Sequence, residues 1–310
     1  MNNRQQGYTL IELMLSSLLG LMLISGFGSL FSNTQKNSTT QRSLSYMMAD
    51  GRYIMEIIGR ELRRAGSLKN KFDVIGSGSA TSAFTADTNV LGSTLSFSQG
   101  DYIRGEYNAT GFGTTADQPY NINRLAFRYQ LFNSGELATG GLGSNNSPCE
   151  KDILLTAGED PATQIHVVTV YFYVFVDASN IPVLYCVAKR DIAKTNITTG
   201  IITRTSVVSP NPVPLISNVQ KLVITYGLDT DADNAANYYA GETNSNIFTS
   251  AQWQQVVSAR LSVVLRSDTD NLMQSSVTYT IDGATGSPFT ATDKRMYRVS
   301  STTIAFRNQI

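Results

Sequence analysis

The chain has 310 residues, room for one or two domains and a sizeable core. Its 24 Lys and Arg balance 24 Asp and Glu, only 15% of residues are charged, and no basic block breaks the sequence, which argues against a nucleic-acid binder. Two cysteines and one histidine, with no CxxC spacing, argue against a zinc site.

The first element follows a short polar stretch and the run Gly7-Tyr8-Thr9-Leu10-Ile11-Glu12. From Leu13 to Phe31, 12 of 19 residues are apolar, the rest are Ser and Gly, and no charge appears before Lys36. At about 1.5 Å per residue, some 20 residues cross a ~30 Å hydrocarbon core, so this segment reads as a membrane span. A carboxylate at its edge, Glu12, costs roughly 2.5–3.5 kcal/mol on insertion scales, which implies a partner and a task. A secretory signal puts its apolar core before a small-residue cut site. Here the small residue, Gly7, comes first. Cutting after it would remove only residues 1–7 and keep the helix. A plain membrane anchor would explain neither Glu12 nor a Gly set directly before an aromatic.

The sequence GYTLIEL resembles the processing motif of type IV prepilins and the related pseudopilins, where Gly ends the leader and Glu follows at the apolar edge. Tyr8 stands where Phe is usual, a mild departure for an aromatic that tolerates the membrane interface. The resemblance implies that prepilin peptidase cuts between Gly7 and Tyr8 and methylates the new amine of Tyr8. It implies that Glu12 pairs with the free amine of a neighbouring subunit during assembly. It also puts the chain beyond Phe31 outside the cytoplasm, where disulfides form. Cys149 and Cys186 would then close a loop of about 37 residues, worth roughly 3–4 kcal/mol in the chain-entropy model; two free thiols are the alternative.

Further along, residues 41–64 carry a helical stripe of Leu44, Met47, Met48, Ile54, Met55, Ile58 and Leu62, with most charges off it. This predicts a helix over 8–66 with an amphipathic second part, stopped at Gly66 and loosened or bent around Gly26 to Ser32. Strand-like runs follow at 124–132, 165–176, 183–190, 201–208, 219–228, 259–267, 277–281 and 296–306. A short helix is expected over 250–257, capped by Thr249 or Ser250. The fold class is therefore α+β: a 1–7 leader, a long N-terminal helix with its span at 13–31, and a β-rich head over 67–310.

Catalytic chemistry is hard to assemble. His166 lies in an apolar strand run and reads as a packed histidine, Glu159-Asp160 as a solvated loop pair, and no GxSxG, P-loop or HExxH occurs. The reading is non-enzymatic. Asp229, Asp231 and Asp233 match the front of an EF-hand loop and raise the possibility of a Ca²⁺ site. The rest departs from that pattern, with Asn234 in place of the turn Gly and Ala240 in place of the closing Glu, so a polar hairpin loop is the competing reading.

The C-terminal half also resembles the PilW-type minor pilins, in Tyr226 to Asp231, in Arg260 to Arg266 and in the closing Arg307-Asn308. That resemblance implies a structural minor pilin that initiates or caps a type IV pilus. It would sit as a single-pass inner-membrane protein with a periplasmic head, then in the pilus, at its tip. Implied partners are the prepilin peptidase, other minor pilins, the major pilin and the assembly platform. A J-type pseudopilin of type II secretion, or a tip adhesin, is the alternative.

Overall fold

The computed structural model describes residues 9–68, 84, 86–87, 95–107, 123–132, 147–161, 164–177, 179–195, 202–209, 211–284, 287–291 and 293–306. Helix α1 (Leu10–Leu62) runs without a break, about 80 Å at the standard rise. The loosening expected at Gly26 to Ser32 does not occur. Each Gly costs about 1 kcal/mol relative to Ala, too little to interrupt a long cooperative helix. Two serines of the span turn inward on the backbone: Ser16 Oγ donates to the Glu12 carbonyl at 2.9 Å, and Ser17 Oγ to that of Met14 at 2.9 Å. A hydroxyl satisfied in this way needs no water.

The helix ends in a tight turn. Gly66 has φ +76°, a left-handed conformation that favours glycine, and its N–H donates to the Arg128 carbonyl at 2.8 Å. The chain then enters an antiparallel sheet formed by β1 (Ile103–Glu106), β2 (Arg124–Gln130), β3 (Ile165–Val176), β4 (Pro182–Thr195) and β5 (Ile202–Val208), in that order. β6 (Val213–Ser217) shares the β5 edge: β5 pairs with Lys189–Thr195 of β4, and β6 with Val183–Cys186. β2 and β3 are buried on both faces, and β3 accordingly reads as an almost continuous apolar run.

A second antiparallel sheet combines β7 (Val219–Leu228), β8 (Tyr238–Ala240), β9 (Val256–Arg266) and β12 (Tyr297–Ala305) in the order β12-β9-β7-β8. Before β9, α2 (Ser250–Gln254) starts with a capping box: Thr249 Oγ1 accepts from Gln252 N, and Gln252 Oε1 accepts from Thr249 N. Its Trp253 is fully buried against Tyr226 and Phe248. The hairpin β10 (Val277–Tyr279) and β11 (Phe289–Ala291) covers Val223 and Val264 on the outer side of this sheet.

The second part of α1 docks on β9 and β12. Met47, Ile54, Ile57, Ile58 and Leu62 join Phe127, Phe172, Leu184, Val263 and Trp253 in one core. Gly51 makes the closest approach, since a Cβ there would lie 2.7 Å from Ser300 Oγ.

Candidate assembly site

The outer end of α1 is bare. Every large apolar side chain from Leu10 to Phe31 is more than half exposed, from 53% at Leu18 to 78% at Leu10. These residues point all round the helix, so no face of the head covers them. A helix apolar on all sides requires a membrane or other helices around it. Glu12 is exposed in the first turn, where the helix dipole favours a negative charge. Gly7 and Tyr8 lie outside the described residues, as do Arg307 and Asn308.

The inner end of α1 holds a charged cluster. Arg64 Nη1 lies 3.3 Å from Glu61 Oε2 and 3.0 Å from Glu150 Oε1. Its guanidinium sits 3.8 Å over the Tyr129 ring, and the Tyr129 hydroxyl donates to Glu150 Oε1. Arg60 Nε approaches Glu61 Oε1 at 3.6 Å from a half-exposed position. Both carboxylates are buried. Burial pushes the Glu150 carboxyl up to about 7; Arg64 opposes that rise and Glu61 adds to it. Burial also raises Glu61, against Arg64 and Arg60.

Glu150 is held there by its neighbour. Cys149 is bridged to Cys186 of β4, with Cα atoms 5.4 Å apart, so the bridge expected from the exported pair is present. Ser147 caps the intervening turn by accepting from Cys149 N. Four residues along the same face of β4, Arg190 fastens the following loop. It donates to the carbonyls of Ile153 and Leu154, at 2.8 and 2.9 Å, and to Glu159 Oε2 at 2.8 Å. Glu159 is thus not a solvated loop residue: its bonds to Arg190 and Thr156 N outweigh its partial burial and hold its carboxyl below the ordinary range.

His166 is buried, as its strand context suggested. Arg190 has only donors, so His166 Nδ1 must accept from Arg190 Nη1 at 2.9 Å, and Nε2–H then donates to Gln164 at 3.2 Å. A neutral imidazole so committed is packing, not a general base.

The three aspartates do converge. Asp229, Asp231 and Asp233 each offer an oxygen within 4.8 Å of the others. Yet Asp229 Oδ1 already accepts from the N–H groups of Asp231 and Ala232, and Oδ2 from that of Asn234. Asn237 Nδ2 donates to Asp231 Oδ2, and Ala235 N to Asp233 Oδ1. These carboxylates thus already accept hydrogen bonds from within their own loop.

Sequence reasoning missed the inner cluster. Its signal was present: Glu61 falls three and four residues after Ile58 and Ile57, inside the apolar stripe.

A bare membrane-length helix, with a carboxylate in its first turn and a β-rich head docked on its far half, fits a membrane-anchored subunit with a pilin-like fold. Family comparison agrees at both ends of the chain. The family described as Type IV Pilus-assembly protein W matches residues 171–308, and the Prokaryotic N-terminal methylation motif matches residues 2–28. Together the two matches support a PilW-type type IV pilin. Curated proteins and solved structures gave no match.

Proposed function

We propose that this chain is a non-catalytic minor pilin that starts or caps a type IV pilus. The observation that carries the reading is the uncovered apolar half of α1, with Glu12 in its first turn. Before assembly, that half holds the subunit in the inner membrane with its head in the periplasm. Prepilin peptidase removes residues 1–7 and methylates Tyr8. On assembly the apolar helix leaves lipid for the helices of other pilins. Glu12 then meets the free amine of a neighbour, which offsets the cost of a carboxylate in an apolar core. The head is large relative to the helix it caps, which suits the tip better than the shaft.

The test is Glu12→Ala expressed in place of the wild type. The variant should insert normally, since a costly carboxylate is gone, but should be lost from sheared filaments, and surface pili should become scarce. Wild-type protein from the same cells should begin at methylated Tyr8 by mass spectrometry. Normal incorporation and pilus number would refute the pairing and the initiating role. Normal pili with lost adhesion in head variants would favour a tip adhesin.

A further inference from the structure

The cluster that ends α1 is more than a fastening. Glu61 belongs to the helix, Arg64 to the turn that follows it, Tyr129 to β2, and Glu150 to the disulfide-bearing loop. Three separate pieces of chain therefore meet at one point, and that point is where the helix joins the head. Two buried carboxylates there lie within 3.3 Å of a single guanidinium nitrogen. Glu61 Oε1 and Glu150 Oε2 are both shut off from solvent and accept no hydrogen bond. A buried carboxylate oxygen without a donor is costly when ionised and is relieved by a proton of its own. Among the described residues, the charged and titratable groups facing the pair are Arg60 and Arg64 from the helix and its end, and Tyr129 from the sheet. Ser147 adds a neutral hydroxyl from the loop. Of the two cations, Arg60 is 40% exposed at its side chain and Arg64 19%, so only Arg64 acts from within the joint.

We propose that the Glu61–Arg64–Glu150 cluster is a proton-controlled latch between α1 and the head, closed when the carboxylate pair holds one proton and loosened when that proton is lost. The direction follows from the raised carboxyls. A carboxyl held above its ordinary value binds a proton in the closed state that the open state has released. Closure is then tightest below the ordinary carboxylate range, near 4.5, and weakens as pH rises towards about 7. Above that window the latch stays in its looser form. The disulfide limits how far the loop can leave, because Cys149 stays tied to β4 whatever the state of Glu150. The consequence is local: at neutral pH the helix end and the disulfide-bearing loop part from each other, while Met47, Ile54 and Ile58 stay packed in the head core. A subunit that must leave the membrane and fit a filament end has a use for such a yielding joint.

Hydrogen exchange on the full chain in lipid nanodiscs tests this. After correction for intrinsic rates, amides of residues 58–66 and 148–153 should open about tenfold more often at pH 7.5 than at pH 5.0, the scale of at least one pKa unit of linkage. Amides of β7 and β9 serve as the reference and should not change. Glu150→Gln and Glu61→Gln each leave one carboxylate facing Arg64, and each should flatten the profile towards the slow, low-pH rate. A flat profile in the wild type would overturn the latch, even if neither variant folds. So would a wild-type slope kept by both variants.

Discussion

Asp229 shows how far a carboxylate cluster can be committed to its own loop. Its slight burial favours the neutral form, but the N–H groups of Asn234, Ala232 and Asp231 outweigh that and hold the carboxyl below its ordinary value. Ala232 and Asn234 adopt left-handed backbone, at φ +64° and +65°, to aim those N–H groups. Ca²⁺ needs 6–8 oxygens, so a bound ion would compete with these donors for Asp229. The expected outcome is an equal unfolding midpoint in millimolar calcium and in chelator. Trp253, the single tryptophan and fully buried, is the natural fluorescent probe. A rise of about 2.7 kcal/mol at a hundredfold excess over Kd would instead establish a calcium site, and Asp231→Ala should then remove it. The same hydrogen bonds set a pH effect. A lowered carboxyl stabilises the fold above the ordinary range, near 3.9, and that contribution disappears as pH falls through the lowered value.

Among the elements, α1 depends on one glycine. Gly51 looks like a weak spot in sequence, yet it lets the helix approach β12 and β9, with Ser300 Oγ at 2.7 Å and Leu265 Cδ1 at 3.3 Å from where its Cβ would be. Gly51→Leu should therefore lower head stability by about 1–3 kcal/mol, as overpacking does, read from the denaturant midpoint of Trp253 fluorescence. An unchanged midpoint would mean that the helix does not bear on the sheet there. The sequence made the long elements legible. β3 and β7 begin and end where their apolar runs do, and the Thr249 cap marks α2. It hid the short ones. Pro214 makes β6 look like a loop, but an edge strand tolerates it. β8 is only three residues beside an acidic loop, and β1 contains Gly105, whose missing Cβ leaves room for the Tyr226 hydroxyl. The expected helix over 250–257 stops at Gln254, because Val256 is already paired in β9. The inner cluster was the least legible of all: Glu61 lay on the stripe, but Glu150 reaches Arg64 across 86 residues, and only the tertiary fold brings them together.

In the whole molecule, the covalent bridge and the helix joint form one structure. Cys149 and Cys186 close a 37-residue span that includes β3, and Glu150, the next residue, carries the contact to Arg64. Opening the bridge would therefore act twice. It would restore loop-closure entropy to the unfolded chain, worth roughly 3–4 kcal/mol for this length. It would also free the turn that presents Glu150, leaving the loop clamped by Arg190, through Ile153, Leu154 and Glu159, and by Ser209 Oγ, which donates to Asp152 Oδ2 at 2.9 Å. The double variant Cys149→Ser, Cys186→Ser leaves no stray thiol. It should unfold at a lower denaturant concentration by about that free energy, equivalent to a drop of roughly 10 °C in Tm for a head of this size. Exchange at residues 58–66 should rise in the same variant more than at β7, because the joint loses its anchored partner while the second sheet does not. A midpoint shift with no selective change at the helix end would show that the bridge stabilises the head without supporting the joint. No shift at all would mean that the docked loop is held by Arg190, Ser209 and packing.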